Sequence, residues 1–312
     1  MNRFPYTYDN KRYYTFNYYL KETYGKKVAK ISLNGNFTCP NRDGKLSYGG
    51  CTFCSDEGSG DFAGNVQDDL FKQFDDIKAK QGLKWKDTYY IAYFQAFTNT
   101  YAPLDILKEC FDPFTEIDEI KALAIGTRPD CLEDDTIAYL DSLTSKVDVW
   151  LELGLQTTYD HTAQLFNRCY DYEVFLDTLS RLEKTNIKVC VHMINGLPYE
   201  DKEMMLNNIK RLSHLKGIDA IKIHMLHLIK GSTMAKEYED KPWPLLSKDE
   251  YIELVVEQLS YLPKDMIIQR LTGDAKKEDL LAPLWTLKKI DVLNGIDQYM
   301  TKHDICQGDK YE

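Results

Sequence analysis

The 312-residue sequence lacks the features that mark several special classes of protein. No apolar run approaches the roughly 20 residues needed to cross a bilayer. The first twenty residues are polar and rich in tyrosine, unlike the continuous apolar segment of a secretory signal. No Gly/Ser linker, low-complexity tract or repeat divides the chain. We therefore expect a cytoplasmic protein with no membrane partner.

Cysteine is scarce, and basic charge is not in excess. Eight cysteines in 312 residues are too few for a disulfide scaffold. A net charge of −10 gives no support to a long basic groove for nucleic acid, although a local positive patch can suffice. Five cysteines are scattered, and we expect them to be packing residues. They are Cys110, Cys131, Cys169, Cys190 and Cys306.

From residue 27 onward, apolar runs of strand length alternate with segments of helical period. Apolar residues at intervals of three and four predict a helix over 66–80, and a capping box predicts another from Ser247. Six runs predict strands, and 266–274 indicates a further one. The six are 27–35, 88–97, 120–127, 147–157, 187–198 and 218–228.

Strands that alternate with helices predict a parallel sheet with crossover helices. We expect an α/β fold, a partial or complete parallel (β/α) barrel, with an open doubly wound sheet as the alternative. The expected organisation is an N-terminal extension over 1–25, a barrel core over 26–262 and a C-terminal extension over 263–312. Polar residues and glycines follow the predicted strands, and the carboxyl ends of barrel strands carry active sites.

The loop after the first predicted strand, "CPNRDGKLSYGGCTFC", contains Cys39, Cys51 and Cys54. Three thiolates can ligate three irons of a 4Fe–4S cluster and leave the fourth iron open. The same spacing also suits two other sites. One is a zinc site completed by a histidine, and the other is a Cys-x-x-Cys redox pair with Cys39 as a bystander.

The wider segment "FTCPNRDGKLSYGGCTFCSDEGSGDFAG" resembles the radical S-adenosylmethionine (SAM) enzymes, in particular the YhcC/YtqA-like subfamily. That subfamily is related to the Elongator catalytic subunit and to oxygen-independent coproporphyrinogen oxidase. Its long spacing, with eleven residues between the first two cysteines, departs from the common Cys-x3-Cys-x2-Cys pattern. The resemblance implies a barrel of radical SAM type. It also implies a 4Fe–4S cluster on Cys39, Cys51 and Cys54, with SAM bound to the open iron and cleaved to a 5′-deoxyadenosyl radical.

The resemblance also implies residues that contact SAM. Phe53 matches the aromatic position beside the adenine, although aromatic residues also commonly pack loops. Arg168 suits the SAM carboxylate, with an exposed helix position as the alternative. The remaining expected contacts are Gln95, Thr127, Arg128, Glu152, Gln156, His192, Asn195 and His227. For His224 and His227, a buried, hydrogen-bonded imidazole is the ordinary alternative.

Relatives of the Elongator type imply a substrate, the C5 side chain of the tRNA wobble uridine. Few residues follow the last predicted strand, so we expect remodelling of an existing side chain rather than acetyl-dependent synthesis of a new one. The segment "NKRYYTFNYYLKETYGKK" either contacts tRNA or packs on the barrel. An electron donor such as flavodoxin or ferredoxin is the implied partner. The alternatives are a small-molecule or protein substrate and a non-catalytic zinc-binding protein.

Overall fold

In the computed structural model, which describes residues 2–56, 58, 62–82 and 87–312, seven parallel strands form one sheet that curls into a half barrel. The strands are β1 (Val28–Leu33), β2 (Tyr89–Phe94), β3 (Ile120–Thr127), β4 (Asp148–Gln156), β5 (Lys188–Asn195), β6 (Ala220–Met225) and β8 (Ile267–Arg270). Their spatial order is β1-β2-β3-β4-β5-β6-β8, so the sheet does not close between β1 and β8. The predicted barrel is therefore partial.

Crossover helices connect the strands, and a small antiparallel ribbon lies outside the main sheet. The ribbon pairs β7 (Leu228–Ile229) with β9 (Leu280–Ala282). The helices are α1 (Phe16–Tyr24), α2 (Leu70–Gly82), α3 (Leu104–Thr115), α4 (Asp134–Leu143), α5 (Asp160–Leu165), α6 (Tyr172–Leu182), α7 (Lys202–Ser213), α8 (Thr233–Asp240), α9 (Lys248–Tyr261) and α10 (Lys289–Lys302). None of these helices, all in the described part of the chain, combines the length and apolar character of a membrane span. The seventh strand of the sheet, β8, lies in the segment 263–312 that we expected to be an extension.

Helix α2 begins four residues later than the periodicity predicted, at Leu70 rather than residue 66. The side chain of Asn65 accepts a hydrogen bond from the backbone N–H of Gln67, and that of Asp69 accepts one from Lys72. These local bonds stabilise a turn and then cap the helix, because short Asn and Asp side chains compete with helical hydrogen bonding.

Both faces of the sheet are buried, as the continuous apolar strands require. Residues of one face, such as Ile31 and Leu123, pack under the helices. Residues of the other face point into the half barrel, where Trp150 and its neighbours form a second apolar cluster. Phe16 and Tyr19 of α1 contact the Trp150 ring edge-on, at centroid distances of 5.6 and 5.7 Å. Helix α1 therefore closes the amino end of the half barrel.

The tyrosine-rich N-terminal segment packs on the barrel, at the end opposite to the cysteine loop. The hydroxyl of Tyr24 donates to the carboxylate of Asp148, the first residue of β4. Tyr14 stacks on Tyr6 at 4.7 Å. Of the two interpretations of this segment, packing is the one that the structure supports.

The open edges of the sheet are covered by neighbouring segments, and the two termini lie together. The backbone N–H of Ile268 donates to Tyr14 on the β8 side, at 2.8 Å. On the β1 side, the amide of Gln81 donates to the carbonyl of Lys30, at 2.9 Å. Arg3 forms a two-point ion pair with Asp309, with N–O distances of 2.8 and 2.5 Å.

Candidate active site

A cavity of about 630 Å³ occupies the half barrel and extends from the cysteine loop to Phe16 of α1. Pockets of this size hold small ligands and cofactors. Most of the predicted site residues line it. They are Cys39, Cys51, Phe53, Cys54, Gln95, Thr127, Arg128, Glu152, Gln156, Arg168, His192 and His227.

Hydrogen bonds to two other segments hold the cysteine loop at the carboxyl end of the sheet. The backbone N–H of Thr52 donates to Phe166, at 3.0 Å, and its carbonyl accepts from Met234 of α8, at 2.8 Å. The side chain of Asn41 donates to the carbonyl of Asn167, at 2.6 Å. The loop is thus anchored on both sides of Cys51 by hydrogen bonds within the protein.

The three thiols of the cysteine loop fit a cluster better than a single metal ion. All three line one cavity, yet no group of three His, Cys, Asp or Glu side chains in the described ranges is close enough to hold one ion. A 4Fe–4S cluster uses a separate iron for each thiolate, so it accepts this wider arrangement. A hydrogen bond between the Cys51 and Cys54 thiols raises the pKa of Cys51 and lowers that of Cys54. The nearby guanidinium of Arg128 favours the thiolate of both.

Phe53 and Gln156 both line the cavity. The Phe53 ring packs on Phe166 at a centroid distance of 5.3 Å and lines the cavity with its other side. Gln156 ends β4 with a φ of 65°, where the register with β5 shifts. Its Nε2 lies 2.7 Å from the position that a Cβ of Gly154 would take. Glycine at 154 therefore lets the Gln156 amide fold over the strand into the cavity.

Arg168 is 1% exposed and is engaged with the protein itself. Its guanidinium donates to the carbonyls of Leu155 and Thr157, at 2.8 and 2.7 Å. It also donates to the carbonyl of Tyr170 and to the carboxylate of Asp160, at 2.9 and 3.0 Å. Four of its five N–H groups are thus directed to protein acceptors. No pair of parallel N–H groups remains to bind both oxygens of the SAM carboxylate. The alternative of an exposed helix position is wrong, because the side chain is buried.

Arg128 and Thr127, at the end of β3, are also partly committed to the protein. Arg128 donates to both oxygens of Asp130, at 2.9 and 2.7 Å, and to the carbonyl of Arg168. The Thr127 hydroxyl pairs with that of Thr100, at 2.6 Å. Both residues line the cavity, so contact with a cofactor remains open to them.

Asn195 differs from the other predicted residues. It is 3% exposed and is not among the described residues that line the cavity. Its amide pairs with that of Gln258 in both directions, at 2.8 and 2.9 Å, on the side of the sheet covered by α9. The prediction of a SAM contact through this side chain is not supported, because the amide points away from the cavity.

Glu152 stands at the centre of a buried ionic cluster. Its carboxylate accepts from Lys30, at 2.6 Å, from Lys222, and from Nε2 of His192, at 3.0 Å. The side chain has no exposed surface. The expected SAM contact through this carboxylate is not supported, since three neighbours already surround it.

The pKa values in this cluster are set by burial and by mutual charge. Burial alone would raise the pKa of Glu152, but Lys222 and Lys30 hold it well below its ordinary value. Burial and the charge of Lys30 lower the pKa of Lys222 to about 8, against the attraction of Glu152. Burial and Lys222 lower the pKa of His192 to about 4. At neutral pH the Glu152 carboxylate therefore faces the ammonium group of Lys222 and the neutral imidazole of His192.

His224 and His227 line the cavity beside this cluster. Burial lowers the pKa of His227 to about 4, and burial with His192 lowers the pKa of His224 well below its ordinary value. Nε2 of each ring is buried with no hydrogen-bond partner among the described residues. The ordinary alternative, a buried and hydrogen-bonded imidazole, does not describe this nitrogen in either residue.

Sequence reasoning missed several polar residues of the cavity, among them Lys30, Tyr93, Lys222 and Gln269. Nζ of Lys30 donates to the amide oxygen of Gln269, at 3.1 Å, and so joins β1 to β8 across the open side of the sheet. A signal was present, because Lys30 and Lys222 are charged residues inside the apolar strands "VAKISL" and "AIKIHM". Lysine is almost never fully buried unless it is paired.

Comparisons with known proteins agree with this geometry. The family model of the radical SAM superfamily matches residues 39–212, and that of the radical SAM C-terminal domain matches 218–302. The chain is 48% identical to YtqA of Bacillus subtilis over 307 residues, which cover 98% of this chain and 95% of YtqA. It is 36% identical to YhcC of Escherichia coli over 290 residues, which cover 92% and 91% of the two chains.

More distant matches come from archaea. The chain is 26% identical to the tRNA uridine(34) acetyltransferase of Methanocaldococcus jannaschii over 187 residues, 59% of this chain and 33% of that protein. The structure of Methanocaldococcus infernus Elp3 with an N-terminal deletion shares the fold, with a TM-score of 0.67 and 17% identity over 90% of this chain and 64% of that one. The chain therefore belongs to the radical SAM superfamily, whose cofactors are a 4Fe–4S cluster and S-adenosylmethionine.

Proposed function

We propose that this protein is a radical SAM enzyme that remodels the C5 side chain of the tRNA wobble uridine. The observation that carries the chemistry is a single cavity lined by Cys39, Cys51 and Cys54 at one end and by the Glu152 cluster at the other. The tRNA assignment is supported by the similarity to tRNA uridine(34) acetyltransferase over 59% of the chain.

In this proposal, Cys39, Cys51 and Cys54 hold the cluster, and Phe53 and Gln156 contact SAM. The ring of Phe53 offers an apolar face for the adenine. The buried amide oxygen of Gln156, with no partner among the described residues, is an acceptor for the SAM ammonium or ribose hydroxyls. When bound, the cofactors supply a radical that abstracts a hydrogen atom from the substrate.

The remaining predicted residues have two kinds of role in this proposal. Gln95, Thr127, Arg128 and His227 line the cavity and stay candidates for cofactor contact. Arg168 is a positioning residue, because it fixes the segment whose carbonyl groups receive Asn41 of the cysteine loop. His192 acts through Glu152, to which its ring is hydrogen-bonded.

Exposed aromatic residues near the carboxyl ends of the strands support an RNA substrate. Tyr48 of the cysteine loop is 78% exposed, and Tyr199, which follows β5, is 76% exposed. Phe62 lines the cavity and is 52% exposed. Proteins recognise unpaired RNA bases largely by stacking them on such rings. In this proposal, the exposed rings of Tyr48, Phe62 and Tyr199 are candidates for stacking on the wobble base or its neighbours.

The proposed partner besides tRNA is an electron donor such as flavodoxin or ferredoxin, because the cluster needs one electron for each SAM cleavage. The test uses enzyme reconstituted anaerobically with iron and sulfide. It is mixed with SAM, a reductant and tRNA from cells that lack the protein, and the nucleosides are analysed by mass spectrometry. We expect a mass change in a wobble uridine, together with 5′-deoxyadenosine, and neither product with Cys54→Ala.

Two outcomes would redirect the proposal. If SAM is cleaved but every tRNA nucleoside stays unchanged, the substrate is a small molecule or a protein rather than tRNA. If the chain binds zinc and no iron after anaerobic reconstitution, the non-catalytic zinc alternative replaces it.

A further inference from the structure

The inner part of the cavity has more positive than negative charge. We call it the floor and define it by Lys30, Tyr93, Glu152, Lys222 and Gln269, which all line the cavity. Two ammonium groups face one carboxylate, while His192 beside them is neutral. Arg270, which also lines the cavity, pairs with Asp274 at 3.2 Å, and Asp274 in turn pairs with Lys289, at 3.0 Å. One positive charge of the floor is thus uncompensated among the described lining residues.

The floor also has hydrogen-bond donors to spare. Lys222 donates to Glu152 and, at 3.4 Å, to the Tyr93 hydroxyl, so one of its three N–H groups is unused. Lys30 donates to Glu152 and to the Gln269 oxygen. Nε2 of Gln269 is buried without a partner in the described part of the chain. Buried donors without acceptors are costly, which points to a ligand that accepts from them.

The floor lies too deep for this ligand to be SAM bound at the cysteine loop. Lys30 precedes the end of β1 by three residues, and Lys222 precedes the end of β6 by three. At about 3.3 Å per residue, the floor is roughly 10 Å below the carboxyl edge of the sheet. The cysteine loop begins beyond that edge. A group that reaches the floor must be a slender substituent inserted into the half barrel.

We propose that the floor binds a carboxylate carried by the substrate, with Lys222 as the main contact and Lys30 and Gln269 as supporting donors. A carboxylate has one negative charge, which matches the one uncompensated positive charge, and it accepts hydrogen bonds from several donors. A phosphate dianion would leave excess negative charge in a buried site. Identification of the carboxylate as part of a wobble side chain depends on the proposed function, but binding of a carboxylate does not.

The first experiment measures binding without tRNA. Propionate, its neutral isostere propionamide and inorganic phosphate are titrated into the anaerobic holoenzyme and followed by ligand-observed NMR. We expect saturable binding of propionate and at least about tenfold weaker binding of propionamide, because only the carboxylate pairs with an ammonium group. Equal binding of the isosteres, or tighter binding of phosphate, would overturn the proposal.

Variants then locate the contact. Lys222→Met should weaken propionate binding about tenfold, while Lys222→Arg, which keeps the charge, should retain most of it. Lys146→Met is the matched control, because Lys146 is remote from the cavity lining and forms a surface ion pair with Glu116. Iron content and SAM affinity of each variant establish that the site is intact. If Lys222→Met with normal iron and SAM binding takes propionate as well as the wild type, the floor is not the binding site.

The tRNA assay separates this inference from the proposed function. If tRNA is unchanged but propionate binds in a Lys222-dependent way, the carboxylate site stands and the tRNA assignment fails. If tRNA is modified and Lys222→Met modifies it at the wild-type rate and with the wild-type KM, the floor inference fails and the tRNA assignment stands.

Discussion

The two ends of the half barrel are built from the same strands but have opposite chemistry. At the amino end, Trp150 packs edge-on against the aromatic rings of Phe16 and Tyr19 of α1. Only two residues further along β4, Glu152 joins a cluster of buried charges. Beyond that point every strand end contributes polar groups to the cavity. The amino end therefore stabilises the fold, whereas the rest of the interior contains the polar and charged groups of the candidate active site.

Burial of a charged group costs free energy unless the group is paired. The position of charged groups inside the barrel therefore indicates where function requires them. The aromatic rings of α1 cover the amino end of the half barrel below the floor, and an apolar neighbourhood strengthens electrostatic interactions. Substitutions at the two ends should accordingly separate into two classes: those that change cofactor or ligand binding, and those that change only the free energy of unfolding.

The largest effect is expected at the cysteine loop. Cys54→Ala should abolish cluster assembly and reduce SAM cleavage to background, because two thiolates do not hold a site built for three. Iron quantification and 5′-deoxyadenosine formation measure the loss. Cys169→Ala is the matched control: this exposed thiol lies near the loop but is not a predicted ligand, and its removal should leave both quantities unchanged. Loss of iron in that control would mean that the loop recruits a fourth cysteine.

A smaller effect is expected at the floor. Glu152→Gln should lower the free energy of unfolding by about 3 kcal/mol, because it leaves two neighbouring ammonium groups without their carboxylate. SAM affinity, measured by calorimetry on the reconstituted enzyme, should not change. A clear loss of SAM affinity with normal iron content would mean that the Glu152 carboxylate binds SAM. The floor would then be part of the cofactor site.

The pH dependence of stability should reveal the neutral imidazole of His192. Its pKa is lowered to about 4, so between pH 6.5 and 4 the unfolded chain binds a proton that the folded chain does not. The free energy of unfolding therefore falls as the pH falls through this window. The loss that is due to His192 approaches about 3 kcal/mol. Urea unfolding of the wild type and of His192→Gln at several pH values isolates the contribution. Parallel pH profiles of the two proteins would contradict a neutral, buried His192.

The smallest effect is expected at the amino end. Tyr24→Phe removes the hydroxyl that donates to Asp148 and should reduce the free energy of unfolding by about 1 kcal/mol. The cost is modest because Asp148 keeps its ion pair with Lys188, at 2.7 Å. SAM binding and cleavage should be unaffected. A defect in SAM binding would show that the two ends of the barrel are coupled.

Sequence reasoning predicted the architecture well because strands buried on both faces are nearly uninterrupted apolar runs. It placed Cys39, Cys51 and Cys54 at the carboxyl end of the sheet for the same reason. It could not foresee the partners of side chains that serve equally well in a cofactor site and in the protein core. Arg168 and Asn195 carry suitable groups for SAM, but their hydrogen bonds are made to the protein. No pattern in one sequence distinguishes these cases.

The ionic floor was missed for a different reason. Lys30, Glu152 and Lys222 are far apart in the sequence, on β1, β4 and β6, and only the curl of the sheet brings them together. Each is unusual alone, as a charged residue inside an apolar strand. Contact between these three side chains depends on tertiary structure, which hydrophobic periodicity and motif spacing do not reveal.

The ion pair between Arg3 and Asp309 has a consequence for how the chain can be rearranged. Because these residues lie side by side, a short linker can join the two ends without crossing the cavity. New termini could then be introduced in an exposed turn between a helix and the following strand, such as the turn around Lys184 between α6 and β5. A circular permutant of this kind should keep the half barrel and its cysteine loop while moving both termini away from the β8 edge.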